Sequence, residues 1–213
     1  DAALVPADDN GLRDVYVRTP AANQFFYVSA DTGGGAANGE SHGAAISGDG
    51  TRVAFETPSV LAAPDTGSDL DVYVRDLVAG TTTMVSRRGA VEANGDSSHA
   101  DISGDGQWVA FESHATDLDP LDPNTRSDVY RAPAAGGTPM LMSRSAADQV
   151  GDAASYQPSI SANGGAVAFG TNATNLVPGD ANGRPDAFLR DLLGDVAERR
   201  APAAAAGPAS AVL

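Results

Sequence analysis

The apolar residues of this chain fall in short runs cut by Gly, Pro, Asp and Asn, and one run recurs along it. In Val53-Ala-Phe55, Val109-Ala-Phe111 and Val167-Ala-Phe169, an extended backbone puts valine and phenylalanine on one face and Ala54, Ala110 or Ala168 on the other. A strand that is apolar on both faces is buried on both. A small residue on one side implies close approach of a neighbouring sheet. Radially stacked sheets satisfy that pattern, whereas a sandwich would more often alternate apolar with polar.

The runs are phased with other motifs. Each is preceded by a turn sequence: Ile46-Ser-Gly-Asp-Gly50, Ile102-Ser-Gly-Asp-Gly106 and Ile160-Ser-Ala-Asn-Gly164. A second motif keeps step with them, as Asp14-Val-Tyr-Val-Arg18, Asp71-Val-Tyr-Val-Arg75, Asp128-Val-Tyr-Arg131 and Asp186-Ala-Phe-Leu-Arg190, at steps of 57, 57 and 58 residues. Periodicity of this length marks a repeat architecture. Each repeat holds four strand candidates, a to d, which in the second complete copy are 99–103, 107–112, 128–132 and 138–143. Gly-Asp-Gly between a and b, and the short connections 78–80 and 134–137 between c and d, are hairpin signals. The four strands therefore form an antiparallel meander.

The expected fold is all-β: a β-propeller of four-stranded antiparallel blades, with about three and a half blades and a repeat of about 57 residues. Residues 1–30 form a half blade of strands c and d, and full blades follow at about 31–86, 87–143 and 144–200. The Ala/Pro-rich stretch 201–213 is a tail or a closing strand. A half blade needs its complement. The chain is either part of a longer propeller or a four-bladed ring closed by that tail.

The motif Ile-Ser-x-Asp-Gly-x-x-Val-Ala-Phe followed by Asp-Val-Tyr-Val-Arg-Asp-Leu resembles the repeat of TolB-like β-propellers, from position 14 to about 200. That family often has Pro after the Ser, where Gly48, Gly104 and Ala162 stand here. The resemblance implies a scaffold that binds proteins outside the cytoplasm. Similar propellers also front peptidases and house glycosidase sites, so a portion of a larger secreted hydrolase is the alternative.

Charge narrows the partners. There are 28 acidic residues against 13 arginines and no lysine, a net charge of −15. Nucleic acid and anionic membrane surfaces are disfavoured, because both require a basic footprint. Cations and basic protein surfaces fit. With no cysteine, disulfides, thiol catalysis and cysteine-ligated zinc are excluded. No apolar run reaches the length of a membrane-spanning helix, and the first ten residues lack the features of a signal peptide.

An acidic pattern ends each b-to-c loop: Asp8-x-Asn10-Gly-x-x-Asp14, Asp65-x-Gly-Ser-Asp69-x-Asp71, Asp122-x-Asn124-x-x-x-Asp128 and Asp180-x-Asn182-Gly-x-x-Asp186. Oxygens at alternate positions of one loop can wrap Ca²⁺, which takes six to eight of them. The closing bidentate Glu of an EF-hand is missing, so backbone, water or the nearby Asp117, Asp119 or Asn175 would complete the shell. The first and last loops match best, above all Asp180, Asn182 and Asp186. The competing explanation is that Asp and Asn start turns by bonding their own backbone.

In a meander the long b-to-c loops and d-to-a crossovers share one face, which is the expected binding face for a protein or surface polymer. His42 and His99 sit beside serines without metal-type spacing, and no Gly-x-Ser-x-Gly elbow accompanies them. The only Trp, Trp108, stands where the other copies have Arg52 and Ala166. Packing and surface contact are both open to it.

Overall fold

The computed structural model describes residues 4–180, 183–192 and 196–199. Asn182 and the tail 201–213 lie outside them. Described in chain order, a hairpin of β1 (Tyr16–Thr19) and β2 (Gln24–Tyr27) is followed by a sheet of β3 (His42–Ile46), β4 (Arg52–Thr57), β5 (Asp71–Asp76) and β6 (Thr81–Met84). A small ribbon, β7 (Arg87–Arg88) and β8 (Val91–Glu92), leads to β9 (Ser97–Ile102), β10 (Trp108–Ser113), β11 (Asp128–Pro133) and β12 (Met140–Leu141). The third four-stranded sheet is β13 (Ser155–Ile160), β14 (Ala166–Thr171), β15 (Asp186–Asp191) and β16 (Val196–Arg199). Every pairing is antiparallel between sequence neighbours. These are propeller blades: one half and three whole.

Strand β12 is shorter than the expected 138–143, because Pro139 has no N–H to give to the ladder. Each innermost strand carries a bulge at one equivalent position, where Gly43 (φ 62°), His99 (φ 52°) and Gln157 (φ 51°) turn left-handed. Two of these three are not glycine.

The core lies between blades. Ala54, Val72 and Val74 of the first full blade pack with Val109, Phe111 and Tyr130 of the next. Ala110 and Val129 of that blade pack in turn with Val167, Phe169 and Phe188. The alanine face is thus the back onto which the following blade's large residues press, and Ala54 and Ala110 are fully buried. Ring pairs recur inside the blades, Phe55–Tyr73 at 5.9 Å, Phe111–Tyr130 at 5.8 Å and Phe169–Phe188 at 6.1 Å between centroids.

The hairpin serines act on their own turns. Ser47, Ser103 and Ser161 accept the amide of Arg52, Trp108 and Ala166 at 3.0, 3.0 and 2.9 Å. Each donates to Asp49, Asp105 or Asn163 two residues on. These turns also meet between blades, through Gly48 N–H to Gly104 O at 2.9 Å and Asp105 N–H to Ala162 O at 2.8 Å.

Trp108 belongs to this inter-blade seam. The guanidinium of Arg131 lies 3.3 Å from the centre of its ring. Its edge occupies the space a side chain at Gly164 of the next blade would need: a Cβ there would stand 2.3 Å from Trp108 Cδ1. One blade earlier Arg52 spans the same seam, donating to Gly106 O at 2.9 Å.

Candidate functional site

The long loops interlock with the crossovers. Between β6 and β9, the crossover is bonded on one flank to the preceding b-to-c loop, through Leu70 N–H to Asp96 Oδ1 at 2.8 Å and Thr66 N–H to Glu92 Oε2 at 2.8 Å. On its other flank Asn94 exchanges bonds with Thr116 and Asp117 of the following loop. The next crossover repeats this, with Asp152 bonded to Thr174 and Asn175 and Ser155 to Ser127. One continuous, preorganised face results.

Within the loops the repeated aspartates have two fixed tasks. The first accepts a phenol eight residues on: Tyr16 donates to Asp8, Tyr73 to Asp65 and Tyr130 to Asp122. The last accepts the serine that ends the blade, with Ser29 to Asp14 at 2.6 Å, Ser86 to Asp71 at 2.7 Å and Ser143 to Asp128 at 2.6 Å. That serine takes the next backbone amide, of Val15, Val72 or Val129, each at 3.0 Å. The acidic spacing is therefore part of the blade's own polar framework. Asp117, Asp119 and Asn175 likewise accept backbone amides, of Asn94, Leu121 and Asp152.

Tyr130→Phe should cost about 1–3 kcal/mol, because a buried Asp122 oxygen loses its donor. The ring stack should survive, since Phe188 occupies the equivalent position beside Phe169. Urea unfolding measures both expectations.

The first three loops differ at the middle position. Asn10 leaves its aspartates, donating to Ala37 O at 2.9 Å and accepting Leu12 N–H at 2.7 Å. Asn124 stays between them, its amide donating to Asp122 and, at 2.9 Å, to Asp128 Oδ2. Gly67 has nothing to place there. Into that space comes Glu92, close enough that a Cβ on Gly67 would lie 2.4 Å from Glu92 Oε1.

Carboxylate oxygens of Asp65, Asp71 and Glu92 accordingly lie within 4.8 Å of one another. Asp65 and Asp71 are buried. Burial, followed by the charges of Asp65, Glu92 and Asp69, pushes the Asp71 carboxyl up to about 8. Asp128 is raised to about 7, chiefly by burial, although Asn124 and Ser143 donate to it. Asp69 itself is exposed and lines an open cleft with Thr66, Glu92 and Asp117. Asp180 and Asp186 are buried at the equivalent place in the last loop.

Sequence reasoning favoured the first and last loops; among the described residues, the carboxylates that converge belong to the second loop and to a crossover. Glu92 was missed. Its signal is that the paired crossover positions elsewhere carry Ala36 and Val150.

No protein-family model matches this chain, and neither does any curated protein sequence. Solved structures do. TolB from Acinetobacter baumannii superposes with a TM-score of 0.50 at 16% identity, over 89% of this chain and 38% of that one. This chain has a TolB-like β-propeller fold. It spans 38% of that TolB's length. A prolyl endopeptidase structure matches with a TM-score of 0.52 at 12% identity, over 87% of this chain and 25% of the endopeptidase. A putative TolB from Agrobacterium tumefaciens, 20% identical over 76% of this chain and 48% of its own, gives 0.46.

In this TolB-like propeller Ser98 and His99 do not form a catalytic relay. Ser98 Oγ lies 3.1 Å and Glu112 Oε1 2.9 Å from the same nitrogen, His99 Nδ1. A triad needs serine and acid on opposite ring nitrogens. Among the described residues no helix is long and apolar enough to cross a membrane.

Proposed function

We propose that this propeller is a non-enzymatic binding module, acting outside the cytoplasm, that recognises a protein or surface polymer through its long-loop face. The double-sided clamping of each crossover carries this reading, because loops held in place lose little freedom on binding. An acidic face selects basic partners. Ca²⁺ held by Asp65, Asp71 and Glu92 would fasten one loop to one crossover. Its chemistry fits: hard oxygens converge, two of them buried, and the amide that bridges the equivalent pair elsewhere is missing.

Photo-crosslinkers at positions 69 and 121 of the long-loop face, and at the exposed Val78 of the opposite face, test the binding surface. Adducts with an extracytoplasmic partner are expected from the first two positions alone. Equal yields from both faces overturn the reading. The fold likeness to a prolyl endopeptidase supports a second one, the propeller of a larger secreted hydrolase. Substrate hydrolysis by the full-length protein that is indifferent to long-loop substitutions would favour it.

A further inference from the structure

Each d-to-a crossover begins as a short ribbon at an equivalent place: 30–36, then β7–β8 over 87–92, then 144–150. The first and last are pinned by the blade that follows them. Arg75 Nη1 donates to Ala30 O at 3.4 Å and Asp31 O at 2.8 Å, and Arg190 Nη1 donates to Arg144 O at 3.0 Å and Ser145 O at 3.5 Å. Thr82 adds a second pin to the first ribbon, its hydroxyl donating to Ala30 O and its amide to Thr32 Oγ1 at 3.2 Å.

The middle ribbon has neither pin. In the blade that follows it, the arginine is displaced to the position of Val74, as Arg131, and its guanidinium lies on Trp108. Pro139, with no hydroxyl and no N–H, stands where Thr82 does, two residues before the partner of the strand-c tyrosine. Arg87 instead bonds its own surroundings, donating to Met84 O at 3.0 Å and Gly89 O at 2.7 Å. The base of the ribbon is fixed, by Ala93 N–H to Ser86 O at 3.1 Å and by the Asn94 and Asp96 bonds of the crossover beyond it. Its ladder is only two residues long on each side, and Val91 is 61% exposed. Few bonds and few buried contacts mark a segment that opens locally.

Glu92 ties this ribbon to the preceding loop. Its Oε2 accepts Thr66 N–H at 2.8 Å and Thr66 Oγ1 at 3.0 Å, and the same carboxylate converges with Asp65 and Asp71. A tether that gathers like charges is weak by itself and strong around a cation. Ribbon residues 90–92 wall the open cleft of about 490 Å³ that Pro64, Thr66 and Asp69 also line, so the position of the ribbon sets its width.

We propose that β7–β8 is a hinged strap at this cleft, which swings on its fixed base in the calcium-free protein and is locked shut by Ca²⁺ held between Glu92 of the strap and Asp65 and Asp71 of the loop. The lock rests on the calcium reading given above, whereas the freedom of the strap rests on the two missing pins. Access of a partner to the cleft then depends on Ca²⁺.

Hydrogen exchange of the full chain, read residue by residue by NMR, tests this. In chelator, protection factors at 88–92 are expected about tenfold below those of the bonded amides in the other two ribbons. Pro139→Thr supplies the hydroxyl that Thr82 offers to Ala30 O and should raise them, while Glu92→Ala should lower them further. Millimolar Ca²⁺ should raise protection at 88–92 about tenfold, leave the other ribbons unchanged and do nothing in Glu92→Ala. Equal protection of all three ribbons in chelator overturns the proposal, and that comparison needs only the unmodified protein. Calorimetry on the same samples separates the two readings. Heat of Ca²⁺ binding without added protection at 88–92 overturns the lock alone, whereas no binding heat overturns the calcium reading and the lock with it.

Discussion

Asp71→Asn is expected to stabilise the calcium-free protein at pH 7 by on the order of 3 kcal/mol, read as a higher Tm. The Asp71 carboxyl stands at about 8 in the fold against an ordinary 3.8, so the folded state holds a proton that the unfolded chain has released. A raised folded value means stability is fully present below about 3.8 and declines as pH rises toward 8. Asn mimics the protonated form and keeps an acceptor for Ser86, so that decline should largely flatten. Residual slope is expected from Asp128, raised to about 7.

Calcium is expected to reverse the sign for the unmodified chain. An ion between Asp65, Asp71 and Glu92 favours the ionised carboxylates, so millimolar Ca²⁺ should raise Tm, more at pH 8 than at pH 5, and chelator should undo it. Asp71→Asn should lose that response. No Ca²⁺-dependent shift in the unmodified chain would sink the calcium reading. A variant with an unchanged pH slope would show that Asp71 is not the group responsible.

Trp108→Ala should cost about 3 kcal/mol, toward the lower end for a large aromatic residue because the ring is only partly buried. Three things go together: the contact against Gly164, the seam between two blades, and the cation–π partner of Arg131. Arg131 is mostly withdrawn from water and its Nε has no hydrogen-bond partner, so the ring face is its main compensation. Arg52→Ala at the equivalent seam removes a hydrogen bond to Gly106 and a partly exposed ion pair with Asp76, together about 1–2 kcal/mol. Guanidinium unfolding compares the two. Equal losses would mean that the ring contributes nothing beyond the seam itself.

Particular residues show what could be read in advance. The Val-Ala-Phe faces located the inter-blade core, since only stacked sheets bury both sides, and Ala54 and Ala110 meet the next blade as expected. Ser47 and Ser103 were legible as turn residues because their partners lie within five positions of them. Trp108 was not, because its partners are an Arg on the adjoining strand and a glycine of another blade. The arginine shifts by one residue in this copy alone: Arg75 reaches back to the crossover before it, whereas Arg131 stands at the position of Val74 and meets the ring. The shortened motif Asp128-Val-Tyr-Arg131 recorded the change without saying where it led.

The acidic loops divide along the same line. Their spacing, their aspartates and their place at the end of the b-to-c connection follow from local sequence, because turns are short-range objects. Whether an aspartate in such a loop meets an amide, a phenol or another carboxylate is set by chain segments 8 to 26 residues away, as Tyr73, Ser86 and the Thr66–Glu92 contact show. By itself the sequence determined the repeat, the blade and the face on which the loops gather, through periodicity and alternation. Only the tertiary structure decided that Gly67 admits Glu92, and that Arg131 meets Trp108 rather than the ribbon before it. Those meetings depend on how neighbouring blades and crossovers close on one another, and no periodicity encodes that.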